Sequence, residues 1–165
     1  MRTLLLLLFV LPTFVVAQNK LAYVNVEEVF SKMPELKDVE SKIAVKSESV
    51  KKNIDTMEAE YETKSNEYEK MSKEGMTEAI AADKQKELLD LQNRYRLFVQ
   101  NSQQEMEKER RTLLAPLEEK LMKAIKEVGD ENGYSFIFNS GAILHAGSDT
   151  FDANPQLKTK LGITN

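Results

Sequence analysis

LKDVESKIAVKSESVKKNIDTMEAEYETKSNEYEKM, residues Leu36 to Met71, is the stretch on which the reading of this 165-residue chain turns. Apolar residues recur at Leu36, Ile43, Val50, Met57 and Met71, and a second series at Ile54, Tyr61 and Tyr68 completes a heptad seam on one helix face. Glu40 and Ser47 interrupt the second series, and Lys64 the first. The pattern returns in the opposite half at Leu88, Leu91, Tyr95 and Phe98, turns polar through Ser102 and Glu105, and resumes one residue out of step at Met106, Leu113, Leu117, Leu121, Ala124 and Val128. An arm from Leu36 to Met71 is roughly 55 Å long at 1.5 Å per residue, more than a compact domain of this size encloses.

A lone helix with so narrow a seam is marginal in water, so the two halves are expected to pair as an antiparallel hairpin. SKEGMTEAIAAD, Ser72 to Asp83, supplies the turn. Gly75 can take positive φ there, and Thr77 or Asp83 can cap the returning helix. The alternative is one continuous helix in a long coiled coil, and the change of heptad phase across Gly75 argues against it.

Working outward, residues Met1 to Ala17 carry one charge, Arg2, then an apolar run ending Val15-Val16-Ala17 ahead of Gln18. This is the layout of a cleaved secretory signal, the run being short for a membrane span or an uncleaved anchor. No cysteine follows it, which removes lipid attachment at an N-terminal cysteine. Taking away Arg2 moves the net charge from −4 to −5. The chain has no cysteine at all, so an exported protein with a globular part of about fifty residues, near the lower size limit for a single core, is expected to oligomerise.

Leu21 to Val24 reads as a strand, and Asn25 as the cap of a short helix through Val26, Val29 and Phe30 that Met33-Pro34 stops. After the arms, Glu131-Asn132-Gly133-Tyr134 ends a helix on a left-handed glycine, and Ser135 to Phe138 follows as a strand. Asn139-Ser140-Gly141 then signals a turn, with Ala142 to Ala146 as the second strand of a hairpin. A last helix is expected from Pro155 to Leu161, capped by Asn154 and stopped by Gly162. The expected division is therefore a signal at 1–17, a small α+β body from 18–34 and 130–165, and helical arms at 35–129. The core, of the body itself or of the assembly it is expected to form, is assigned to Leu21, Tyr23, Val24, Val29, Phe30, Phe136, Ile137 and Phe138.

LAYVNVEEVF at Leu21 to Phe30, the long charged arms, and LLAPLEEKLMKAIKEVGDENGYSFIF from Leu113 to Phe138 together resemble the Skp (OmpH) family of periplasmic chaperones. The second run is the specific part: the leucine pair ahead of Pro116, then Leu117, Leu121, Ala124-Ile125, Val128 and the Glu131-Asn132-Gly133-Tyr134 corner. The resemblance spans the chain after the signal, the arms matching mainly in composition. It implies a mostly helical α+β fold and a jellyfish-like homotrimer. Small β-containing trimerisation bodies join in it, and three helical hairpins surround a cavity that holds unfolded outer-membrane β-barrel proteins without nucleotide or other cofactor. The sequence departs from the best-known members in charge. Those are strongly basic, whereas the arms here hold 18 basic against 21 acidic residues, and a net negative surface gains nothing from anionic lipid or lipopolysaccharide. Where the family often has an Asp-x-Thr turn, Asp152-Ala153-Asn154 stands, with Asn154 expected to cap.

Pro116 sits inside a helical pattern, and either hinges the arm against the body or marks two helices meeting at Ala115. Tyr61, Tyr68, Tyr95 and Phe98 lie on the seam and are assigned to packing. Val45, Met76, Ile80, Leu89, Leu97 and Val99 fall off the seam and are the client-contacting candidates, since a client of many sequences needs weak, adaptable apolar contacts. His145 is the only histidine, and with no acidic residue at ligand spacing it is read as a surface residue, not a metal ligand or base. There is no glycine-rich phosphate loop, no nucleophile elbow and no basic groove with interleaved aromatics, so neither enzyme nor nucleic-acid binder is indicated. The reading is an ATP-independent periplasmic holdase, soluble after signal cleavage. The alternative is a coiled-coil structural or adaptor protein of the cell envelope that binds one folded partner, and the off-seam apolar residues weigh against such a spacer.

Overall fold

A computed structural model describes residues 19–163; the expected signal at 1–17 lies outside them. Strand β1 (Lys20–Val24) leads into helix α1 (Val26–Ser31), where the Asn25 side chain accepts from the Glu28 N–H at 2.9 Å and so satisfies one of the unpaired donors of the first turn. The arms follow as α2 (Leu36–Glu74) and α3 (Glu78–Asn132), then β2 (Tyr134–Asn139), β3 (Thr150–Asp152) and α4 (Asn154–Lys160). At 1.5 Å per residue α2 is about 58 Å long and α3 about 82 Å. They fold back antiparallel as expected. Gly75 holds φ 90° at the end of α2, and Thr77, not Asp83, caps α3 by accepting from the Ile80 N–H at 3.4 Å.

Helix α3 runs unbroken through Pro116, which overturns the reading of two helices meeting at Ala115. Proline lacks the N–H that would meet the Thr112 carbonyl, and the helix is held by the half-buried Leu113 and Leu114 before the defect and by the buried stripe after it. Leu117, Leu121, Ala124 and Val128 form one stripe and are all buried. Their partners are Ala22 and Val24 of β1, Val29 of α1, Met33, Val39 of α2, and Ala153, Leu157 and Leu161 around α4. The core of the body is thus built largely from the base of the long returning helix. Gly133, at φ 68°, closes that helix.

The expected hairpin of β2 with Ala142 to Ala146 does not form. The Asn139 side chain accepts from the Gly141 N–H at 3.3 Å and starts a single 3₁₀ turn over Ser140–Ala142, after which Ile143 to Ser148 carries no strand. Leu144 stands fully in solvent there. The chain instead crosses to the far edge of β1, and β3 pairs parallel with it, Leu21 beside Thr150 and Tyr23 beside Asp152. The sheet is all parallel in the order β2-β1-β3. Two crossovers therefore surround the first strand, which becomes the central one.

Capping of α4 also differs. Asn154 does not cap it; its carboxamide oxygen accepts from the Asn25 N–H at 2.8 Å and ties α4 to the entry of α1. Asp152 takes the freed role, accepting from the Asn154 N–H at 2.9 Å. Leu157 is fully buried where α4 meets this core. Leu157→Ala is expected to lower stability by about 3 kcal/mol, read as a shifted urea midpoint at unchanged slope.

Candidate functional site

A three-stranded sheet with helices against only one side must leave alternate residues of each strand facing outward. Ala22, Val24 and Ile137 face the core. The parallel register sets Leu21 beside Phe136 and Tyr23 beside Phe138 on the opposite face. Phe136 is 58% exposed, Phe138 47% and Leu21 36%, and the two phenyl rings stack with centroids 6.0 Å apart. Of the residues assigned to the body core, Val24 and Val29 are buried and Tyr23, Phe30 and Ile137 half-buried. Leu21, Phe136 and Phe138 are not core in the single chain, because among the described residues no layer covers their side of the sheet. Two phenylalanines and a leucine in one open patch are more than scattered surface residues.

The arms carry the second set. Val45, Ile80, Leu89 and Leu97 are exposed, as their off-seam positions require. Met76 and Val99 are half-buried instead: the change of heptad phase after Phe98 turns Val99 toward α2, where it lines a cleft with Val50 and Ile54. Met122 and Leu144 are exposed apolar residues missed in the sequence. Met122 was legible, since it falls off the Leu117-Leu121-Ala124-Val128 stripe. Leu144 was not, because its surroundings alternate like a strand.

Seam aromatics pack as assigned and also carry polar ties at their edges. Gln92 donates to the Tyr61 hydroxyl at 2.7 Å, Gln85 to that of Tyr68 at 3.0 Å, and the Tyr95 hydroxyl to Glu58 at 2.9 Å. The Glu58 carboxylate raises the Tyr95 hydroxyl above the usual phenol range. Lys64 meets Glu87 at 3.0 Å, which lowers the Glu87 carboxyl and raises the Lys64 ammonium. At the root of the arms Glu35 pairs with Lys120, whose hydrogen bond holds the Glu35 carboxyl below the carboxylate range.

Within the body Glu28 bridges α1 and α4. Its carboxylate accepts from Lys158 at 2.8 Å and Lys32 at 2.7 Å, and these two, Lys158 first, bring its pKa down to about 2. Lys160 fastens α4 to α3 through Glu131 at 2.5 Å and Glu127 at 3.1 Å. Among the described residues no three metal-ligating side chains cluster, and no helix is long and apolar enough to cross a membrane. His145 lies in the irregular, exposed segment after the 3₁₀ turn. What the arrangement offers a partner is spread out: isolated apolar side chains on two charged rods, and one open apolar sheet face.

A family model described as outer membrane protein (OmpH-like) matches residues 20–161. The crystal structure of an OmpH-like protein from Caulobacter crescentus CB15, described there as a candidate outer membrane chaperone, superposes with a TM-score of 0.75 at 14% identity. The match covers 88% of this chain and 85% of that one. No curated protein matches the chain.

The Glu28 bridge predicts an acid response. A carboxyl lowered from 4.5 to about 2 on folding contributes stability that is fully present above pH 4.5 and lost as the pH falls toward 2. Glu28→Gln is expected to flatten the fall of Tm between pH 5 and 2, measured against the parent chain in the same buffers.

Proposed function

The chain belongs to the OmpH-like family, and on that premise we propose that it is an ATP-independent holdase of the periplasm for unfolded outer-membrane β-barrel proteins. The observation that carries this is the form of the arms. Two helices extend far past the body core and present Val45, Ile80, Leu89 and Leu97 singly on a charged surface. A client with many apolar segments is held by many such contacts at once, each weak and exchangeable, while the surrounding charge keeps the loaded complex soluble. Because the arms are rods, a single chain cannot enclose a client, so the reading requires several copies.

The open sheet face supports a homotrimer in which Leu21, Tyr23, Phe136 and Phe138 pack against the other copies, burying a patch that a lone chain leaves in water. Residues 35–129 then act as arms, 18–34 and 130–165 as the assembling body, and Pro116 sets the direction in which each arm leaves it. Export by residues 1–17 brings the chain to its clients. Release follows from the client folding into the membrane, which needs no cofactor. The acidic arms gain nothing from anionic lipid or lipopolysaccharide.

The test is light scattering after size exclusion on the chain from Gln18, alone and after dilution of a urea-unfolded outer-membrane barrel protein into it. The expected result is three chain masses that gain one client. A monomer or dimer that leaves the client to precipitate would instead favour the envelope spacer. Leu89→Ser with Leu97→Ser is expected to weaken client retention about tenfold without changing the oligomer, since two apolar contacts are lost from exposed positions. Phe136→Ser with Phe138→Ser is expected to break the oligomer itself.

A further inference from the structure

The chain has seven methionines and no cysteine; Met1 lies in the expected signal, so after it the only sulfur is that of six thioethers. Their surroundings fall into three kinds. Met33 is packed in the body core at 2% exposure, against Val29, Leu157 and Leu161. Met57, Met71 and Met106 occupy seam positions of the arms and are each half-buried. Met76 lies in the turn, half-buried, and Met122 is 63% exposed on α3, off the buried stripe.

Beyond the root of the arms, and among the described residues, only the facing helix covers a seam side chain, so the seam is open to solvent along both flanks. A cleft of about 300 Å³ lined by Tyr61, Leu91 and Tyr95 opens beside Met57, and one of about 330 Å³ lined by Val50, Ile54 and Val99 opens beside Met106. Hydrogen peroxide is little larger than water, and clefts of this volume admit it. The seam also has little apolar cohesion to spare. Among the described residues Leu91 is the only buried apolar side chain between Val39 on α2 and Leu117 on α3, so the half-buried side chains, the three thioethers included, carry much of the pairing. A thioether suits that role because it is apolar, polarizable and packs well at aromatic edges such as those of Tyr61 and Tyr95.

We propose that Met57, Met71 and Met106 are modification sites for hydroperoxide oxidants, and that their conversion to methionine sulfoxide loosens the pairing of the two arm helices while leaving the body intact. At each site the sulfur lone pair attacks one peroxide oxygen. The O–O bond breaks and an S–O bond forms; the sulfur loses two electrons, and the remaining peroxide oxygen leaves as water. The product is polar, and its oxygen must stay hydrated or hydrogen-bonded, so a side chain that closed the seam now draws water into it. A thiol-dependent sulfoxide reductase reverses the change, two thiols giving a disulfide while the oxygen departs as water. The body escapes because Met33 is shielded, and the open sheet face of Leu21, Tyr23, Phe136 and Phe138 carries no methionine. The inference concerns the arms as a helix pair and stands apart from the holdase reading.

The test treats the chain from Gln18 with hydrogen peroxide, removes the peroxide, and maps the sulfoxides by peptide mass spectrometry. The expected product carries oxygen at Met57, Met71 and Met106 as well as at Met122, with Met33 still a thioether. Melting is followed by far-ultraviolet circular dichroism, a signal that the 39 residues of α2 and the 55 of α3 dominate. Oxidation is expected to lower Tm by about 8 °C with the mass in light scattering unchanged, and a methionine sulfoxide reductase with dithiothreitol to restore it. Met57→Leu with Met71→Leu and Met106→Leu, which keeps apolar volume on the seam, is expected to remove most of the shift, and Met122→Leu to leave it in full. Seam methionines that stay reduced while Met122 is oxidised overturn the proposal. So does a chain oxidised at the seam that melts like the untreated one, and neither outcome needs a variant. A folded triple variant that loses as much Tm as the parent, or an oligomer that falls apart on oxidation, overturns it as well.

Discussion

Burial of one stripe of α3, Leu117-Leu121-Ala124-Val128, against β1 and α4 is the interaction on which the rest depends. It makes one helix belong to two structures at once. Its C-terminal quarter is the floor of the body, and the remainder is an arm that no part of the same chain encloses. Because the helix is continuous, the packing that stabilises the small body also fixes where the arm begins. Pro116 lies at that transition and is tolerated because Leu117 and the Glu35–Lys120 pair hold the helix immediately beyond it. A proline further out, with only a narrow seam for support, would meet no such compensation.

The body is small and depends on linking pieces far apart in sequence. Asn25 and Asn154 join the entries of two helices, and Glu28 joins the same two helices through Lys158. Lys160 brings the last helix onto the end of α3. Such ties between exposed groups contribute modestly, so apolar contacts made by Met33, Leu157 and Leu161 supply most of the cohesion. With one sheet face still open to water among the described residues, the body is stable only to the extent that a single core of this size allows.

Much of the site was legible because it depends on helical periodicity. The off-seam positions of Val45, Ile80, Leu89 and Leu97 predicted their exposure without any tertiary information, since a residue facing away from the only partner helix has nothing to bury it. Val99 and Met76 escaped the same reasoning. Val99 lies where the heptad phase changes, and Met76 lies in the turn, where helical periodicity no longer applies. Leu21, Phe136 and Phe138 looked like core because alternating apolar strands usually have one covered face; which face is covered depends on where the helices pack. Their identity as apolar strand residues was readable, and their position on the open side was not.

By itself the sequence determined the two arms, the turn at Gly75, the corner at Gly133 and the family, because each rests on local chemistry: a repeat of three and four, a residue free to adopt positive φ, or a contiguous motif. Tertiary structure alone decided the topology of the sheet. Thr150–Asp152 is too short to show a pattern, and AILHA shows one that it does not use. Whether a strand pairs with its neighbour in sequence or crosses to the far side of β1 depends on non-local hydrogen bonds and on the side-chain turn at Asn139. The exchange of roles between Asp152 and Asn154 was decided the same way, because the Asn25 N–H that claims Asn154 comes from the other end of the chain.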